Sequence, residues 1–183
     1  MSRFVHHRLI SRFARARDGT TAIEFAIIAT PFLMLMFGII ELGMVFMVST
    51  TLQNACDNAS RKIRTGEFQT SGASAKTDFQ TLVCANMNWL QPDCATKLSV
   101  DVQVFQTFAA LNGSGPANPT KFDPTKTSYT VPTASQIVLV RTYYDWSIFT
   151  PLLNAALVNE GAGSGKRLIS AAAAFQTEPF PGP

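Results

Sequence analysis

The sequence predicts an α+β protein. A long N-terminal helix crosses a membrane, continues as an amphipathic stalk, and packs with a second helix on a small antiparallel β-sheet. Three observations predict it. Residues 25–48 read FAIIATPFLMLMFGIIELGMVFMV, with Glu41 their one charge. Residues 49–66 change to apolar positions at helical one-face spacing. Beyond Pro92, three runs rich in Val, Ile, Tyr and Ala are separated by Gly/Pro/Asn-rich segments, the punctuation of a small sheet. The composition agrees. Of 183 residues, 46% are hydrophobic and 15% charged, the opposite of the balance that keeps a chain disordered. The formal charge of +3 is confined to the leader: residues 1–18 carry Arg3, Arg8, Arg12, Arg15 and Arg17 against Asp18, and the rest holds ten basic and eleven acidic side chains. A nucleic-acid-binding surface is therefore not expected.

The apolar run is long enough to cross a bilayer core of ~30 Å with some tilt. A buried core helix would keep a polar face, and apart from Glu41 this segment shows none. Five arginines precede it and no Lys or Arg falls between Gly19 and Ser60, so the positive-inside rule leaves the N-terminus cytoplasmic and exports residues 50–183. A secretory leader does not fit. Its apolar region would be ~7–15 residues long and end on a small-x-small site, whereas this run is longer and closes on Leu42-Gly43-Met44. A lipoprotein leader fails as well, since Cys56, the first cysteine, lies too far downstream.

In RFARARDGTTAIEFAII a basic stretch leads to Gly19, and a glutamate follows five positions later at the entrance to the span. Here the chain resembles type IV pilin precursors, which a membrane peptidase cuts after the glycine, leaving glutamate as the fifth mature residue. The resemblance implies cleavage after Gly19, with Thr20 the new N-terminus, Glu24 the fifth residue and Phe25 the sixth. The following FAIIATPFLMLMFGIIELG resembles the anchor of TadE-like proteins, the minor pilins of tight-adherence (Tad) pili. A Glu-Phe pair opens the run, a proline interrupts it, and Gly38-Ile39-Ile40-Glu41-Leu42-Gly43 matches a Gly-x-x-Glu-hydrophobic-Gly patch near its end. The resemblance is specific over residues 12–66 and weaker beyond, where Glu178-Pro179-Phe180 matches a C-terminal motif of the family.

An ionised carboxylate in a membrane span costs several kcal/mol unless partnered, which makes it a functional candidate on physical grounds. Glu24 stands four residues from the amine that cleavage would free on Thr20. It either marks the polar end of the helix, helped by the helix dipole, or docks the subunit by pairing with its own or a neighbour's N-terminal ammonium. The second is what the resemblance implies, and the Gly19 spacing favours it. Glu41 lies seventeen residues on, ~25 Å at ~1.5 Å per residue, and so near the opposite membrane face. It is expected to snorkel to interfacial water, a docking contact being the alternative. Pro31 removes one helix hydrogen bond and should loosen or kink the span.

In STTLQNACDNASRKIRTG, Leu52, Ala55, Cys56, Ala59 and Ile63 share a helix face, with cations in the last turns and Gly66 as C-cap. One helix of more than forty residues is expected. A Ser/Gly/Ala linker at 70–75 leads to a second helix near Lys76–Leu90, with Phe79, Leu82, Val83, Met87 and Leu90 inward and Pro92 as its stop. Strands are expected in KLSVDVQVFQTF, in QIVLVRTYYDW as the central strand, and in KRLISAAAAFQTEPF, whose alanines would also suit a helix. The 112–133 segment is expected to be a mobile surface loop, and Pro151–Asn159 a brief helix.

Cys84 and Cys94 lie on the exported, oxidising side, so a disulfide is expected, with two buried thiols as the alternative. Cys56 is then left over, as a small core residue or an intermolecular crosslink. No catalytic residue, cofactor or metal site is expected. The histidines are His6 and His7, both in the leader, so His-dependent nucleophile machinery and His-ligated zinc are excluded from the mature chain. No phosphate-binding GxxxxGK[ST] loop occurs. Asp101, Asp123, Asp145 and Glu160 are scattered acids that only folding could bring together. Asp145-Trp146-Ser147 does not extend to an Asp-x-Ser-x-Ser metal loop, which argues against the larger TadG-like proteins.

The organisation expected is therefore a leader at 1–19, a transmembrane and stalk helix at 20–66, and an exported α+β domain at 67–183. By resemblance the chain is a non-enzymatic minor pilin or pseudopilin of a Tad pilus. It would reside in the bacterial inner membrane with its C-terminal domain periplasmic. Its partners would be prepilin peptidase, other pilin subunits and the Tad assembly machinery. TadF-like proteins share this pattern. An uncleaved single-pass scaffold or binding module is the alternative, an anchored enzyme a more distant one.

Overall fold

The computed structural model describes residues 19–72, 75–115, 117–150, 153–161 and 163–180. The basic leader through Asp18, the middle of the 70–75 linker, and the Pro151 start of the brief helix lie outside the described residues. The chain divides into two compact units between Ile40 and Glu41. One helix, α1 (Thr20–Arg64), contributes its first part to one unit and its remainder to the other. It is assigned as helix through Pro31, so the lost hydrogen bond does not end it.

In the first unit, the side chains of Thr20–Ile40 are exposed, with only Ala29 and Gly38 partly covered. This helix is long and apolar enough to cross a membrane.

In the second unit, α1 turns one stripe inward: Val45, Val48, Leu52, Ala55, Cys56, Ala59 and Ile63 are all buried. The helix ends at Gly66, whose φ of 77° is left-handed and whose missing Cβ leaves room for the Phe180 ring. The Glu178 N–H donates to the Arg64 carbonyl at 2.8 Å, and the Glu178 carboxylate pairs with Arg64. Glu178-Pro179-Phe180 thus caps the end of the long helix.

After a single turn, α2 (Glu67–Thr70), comes α3 (Lys76–Ala85), started by Asp78 accepting from the Ala75 N–H at 3.0 Å. Phe79, Val83, Met87 and Leu90 are buried and Leu82 half-buried, as the spacing predicts. Pro92 departs from expectation. The chain breaks at Asn86–Met87, makes a 3₁₀ turn over Asn88–Leu90, and Pro92 then opens a further helix, α4 (Gln91–Lys97). A first-turn proline forfeits no helix hydrogen bond, so it starts a helix as readily as it stops one.

Strands β1 (Leu98–Phe105), β2 (Ile137–Ser147) and β3 (Lys166–Gln176) form an antiparallel sheet in the order β1-β2-β3. The densely apolar β2 is central, as expected, and the alanine-rich segment is a strand. Ala171 and Ala173 stand beside Thr142 and Val140 on the face that receives α1, where small side chains let a helix approach; Gln53 of α1 donates to the Ala172 carbonyl. Between β2 and β3 a short helix, α5 (Asn154–Leu157), falls within the predicted 151–159 stretch.

Helices cover one sheet face. Described residues of the segment between β1 and β2 lie against the other, and the surface loop expected over 112–133 is tied there to the sheet. Arg141 donates to the Ser114 and Gly115 carbonyls, the Ala117 N–H donates to the Tyr143 hydroxyl, Phe122 packs on Tyr143, and Ser128 and Thr130 bond to either side of Val102 on the edge of β1. The reason lies across β1 and β2, where Asp101 and Arg141 stand opposite each other and organise the segment above them.

Candidate functional site

The predicted processing and docking residues lie at the start of α1. Gly19 immediately precedes the helix, Thr20 is its first residue, and no atom of the described residues crowds the Gly19 backbone. Glu24 follows one turn later on the Thr20 face, as i,i+4 spacing requires, and is exposed. Phe25 is 73% exposed and begins a surface that is apolar around the whole helix circumference. A carboxylate one turn above a helix start can pair with an amine there or on a neighbouring chain.

Glu41 is placed quite differently. It is the first residue of the second unit, 3% exposed, and does not snorkel. Its Oε2 accepts from the Phe149 N–H and the Thr150 N–H, both at 3.2 Å, and from the Thr150 hydroxyl at 3.1 Å. The carboxylate thus holds the segment leaving β2 against the stalk. Oε1 is buried with no hydrogen-bond partner among the described residues. A docking contact, the alternative for Glu41 beside Thr20 and Glu24, would have to use a carboxylate with one oxygen already engaged internally. No local pattern announces this contact, since it joins residues 108 and 109 positions apart.

Cys84 and Cys94 form a disulfide with their Cα atoms 5.6 Å apart, joining α3 to α4. Cys56 is a free, buried thiol facing Ser60 and Thr142, and burial, only partly offset by hydrogen bonds from those hydroxyls, pushes its pKa up. That is the small core residue, held protonated and away from oxidants.

Of the four scattered acids, Asp101 is the most deeply engaged. Its Oδ2 accepts from Arg141 Nε at 2.9 Å and Nη2 at 2.6 Å, and its Oδ1 from the Ser128 N–H at 2.9 Å and hydroxyl at 2.8 Å. Burial alone would raise its pKa, but the Ser128 and Arg141 hydrogen bonds and the Arg141 charge outweigh it and hold the carboxyl below its ordinary value. A groove of about 250 Å³ lies beside this pair, reached also by Lys121 and Lys126. The Asp101 and Arg141 groups lining it are spent on each other and on the loop. Asp123 caps its own turn through Thr125. Asp145 and Glu160 do meet: burial, then hydrogen bonding and repulsion from Asp145, push Glu160 up to about 7, with Lys166 opposing. Among the described residues no group of three or more His, Cys, Asp or Glu is placed to hold a metal ion.

Residues 19–61 match the TadE family model, described as TadE-like protein. Over these residues the match agrees with the resemblance read from the sequence. It takes in Gly19, Thr20, Glu24, Phe25 and Glu41, and ends before α2, the disulfide and the sheet. No curated protein and no solved structure matches the chain.

Proposed function

We propose that the chain is a minor pilin or pseudopilin, cut after Gly19 by a prepilin peptidase, that takes part in assembling a Tad pilus by helix docking. One observation carries the reading. Gly19, Thr20, Glu24 and Phe25 hold prepilin spacing at the head of a helix that is apolar on every side through Ile40, within the segment that matches the TadE-like family. On this reading 1–19 is a discarded cytoplasmic leader, 20–66 the transmembrane and stalk helix, and 67–183 a periplasmic domain, with the subunit residing in the bacterial inner membrane.

The chemistry follows from where charge sits. Cleavage creates an ammonium on Thr20 at the helix N-terminus, the one place near the span where a carboxylate such as Glu24 gains both a partner and a favourable dipole. A neighbouring subunit offering its own ammonium satisfies the same carboxylate, so docking selects neighbours that bring a free N-terminus into register. The apolar surface of Thr20–Ile40 is what prepilin peptidase, other pilin subunits and the Tad assembly machinery would contact within the bilayer.

The test is Glu24→Ala beside Glu24→Gln in cells carrying the remaining assembly proteins. Both variants should reach the membrane with the Cys84–Cys94 disulfide formed, and both should reduce piliation. Normal pili from either would reject the docking role.

A further inference from the structure

The exported domain carries large apolar side chains that its core does not use. Among the described residues outside α1 these are Trp89, Phe108, Val131 and Phe149. Two of them belong to one aromatic row. The Phe149 ring stacks edge-on against Trp146 at 5.6 Å, and Trp146 against Trp89 at 6.2 Å. Trp146 is buried, while Phe149 is 65% and Trp89 46% exposed.

The row lies at one end of the domain. Along α1, Glu41 bonds to Phe149 and Thr150, Gln53 to Ala172 near the middle of β3, and Arg64 to Glu178 just beyond it. The stalk and β3 therefore run side by side, and the end holding Trp146, Phe149 and the start of β3 is the Glu41 end. Glu41 in turn follows directly in the chain on Thr20–Ile40, which at ~1.5 Å per residue is as long as the ~30 Å bilayer core. Headgroup regions add several ångströms on each side, enough for the next turn of α1, where Leu42 is also exposed, and Phe46 and Met47 continue the exposed apolar surface one turn further. The Phe149 amide bonded to Glu41 thus falls in the interfacial layer, where aromatic rings concentrate because one edge is apolar and the other wet.

We propose that Trp89 and Phe149 form an interfacial anchor through which the exported domain rests on the headgroup–acyl boundary of its own membrane. The occupant of the patch is phospholipid. The anchor and the Glu41 latch act together: the latch fixes the Phe149 segment to the stalk at the boundary, and the rings fix the domain to the lipid. This rests on reading Thr20–Ile40 as the span.

The test uses the full chain reconstituted in phosphatidylcholine vesicles containing lipid brominated at shallow acyl positions. Trp89 and Trp146 are the two tryptophans, and the Trp89→Phe variant separates their signals. Trp89 emission should be blue-shifted and mostly lost to brominated lipid, with little loss to aqueous iodide. The Phe149→Ser variant, its disulfide intact, should recover part of that emission. Two results would overturn the proposal: Trp89 open to iodide and untouched by brominated lipid, or Trp89 shielded from both, which assigns the patch to a protein partner. Vesicle flotation keeps the two readings apart. A chain that does not float rejects the span and the anchor together, whereas a floating chain with unquenched Trp89 rejects the anchor alone.

Discussion

Replacing Asp101 by Asn should be among the most damaging single changes in the unit beyond Ile40. The Asp101 side chain is 6% and that of Arg141 12% exposed, and the carboxylate accepts from Arg141 on one oxygen and from Ser128 on the other. An Asn amide offers one acceptor oxygen. Its NH₂ must then face either the guanidinium or the Ser128 N–H, so one set of bonds becomes a donor–donor clash and Arg141 loses its counter-charge. Breaking one partner of a buried pair costs about 3–5 kcal/mol. The Arg64–Glu178 pair is the internal control. Its side chains are half exposed, so Glu178→Gln should cost under about 1 kcal/mol. Urea unfolding of the full chain in non-ionic micelles, followed by tryptophan emission, measures both. Equal losses for the two variants would refute the reasoning. The pH dependence has a fixed sign. The folded-state pKa of Asp101 lies below its ordinary 3.8, so its stabilisation is present above that value and fades as pH falls through the folded pKa. Asp101→Asn should lack that part of the acid destabilisation.

Three further outcomes are expected. Glu41→Ala leaves two amides and a hydroxyl without their acceptor and should cost about 2–4 kcal/mol, with the Phe149 and Thr150 amides exchanging hydrogen faster than in the parent chain; unchanged exchange would remove the latch. Replacing Cys84 and Cys94 by Ser should cost about 3 kcal/mol through the freed short loop, and Cys56 should resist maleimide until the domain unfolds; labelling in the folded chain would contradict its burial. Glu160 is an acid whose folded pKa is raised from 4.5 to about 7, so the parent chain should lose stability as pH rises through that window, and Glu160→Gln should abolish the loss; identical pH profiles would reject the contact with Asp145.

What the sequence discloses and what it hides divide along contact range. The stripe Leu52, Ala55, Cys56, Ala59, Ile63 and the cap at Gly66 are local patterns, and all appear as read. So does the central place of β2, because a strand apolar on both faces has to be covered on both. Pro92 was ambiguous in principle: the same residue serves as the end of one helix or the first turn of the next, and the break at Asn86–Met87 decided it. The 112–133 segment has the composition of a free loop. It is held by Arg141, whose position beside Asp101 depends on strand register that composition does not encode. Glu41 is the sharpest instance. Hydropathy located it at the end of the apolar run, yet its partners lie on the far side of the sheet hairpin in sequence, and two of the three are backbone amides, which carry no residue signature. The candidate processing residues are the reverse case: Gly19, Thr20, Glu24 and Phe25 form a short motif that is legible in sequence because its spacing is local, and on the proposed reading a peptidase recognises it without help from this chain's own fold.

That motif also carries the central claim, and intact-mass measurement with N-terminal sequencing of the membrane-extracted chain tests it most directly. In cells with an active prepilin peptidase the account predicts a chain beginning at Thr20, and the full-length chain when the peptidase is inactivated. A chain still beginning at Met1 beside an active peptidase would contradict it.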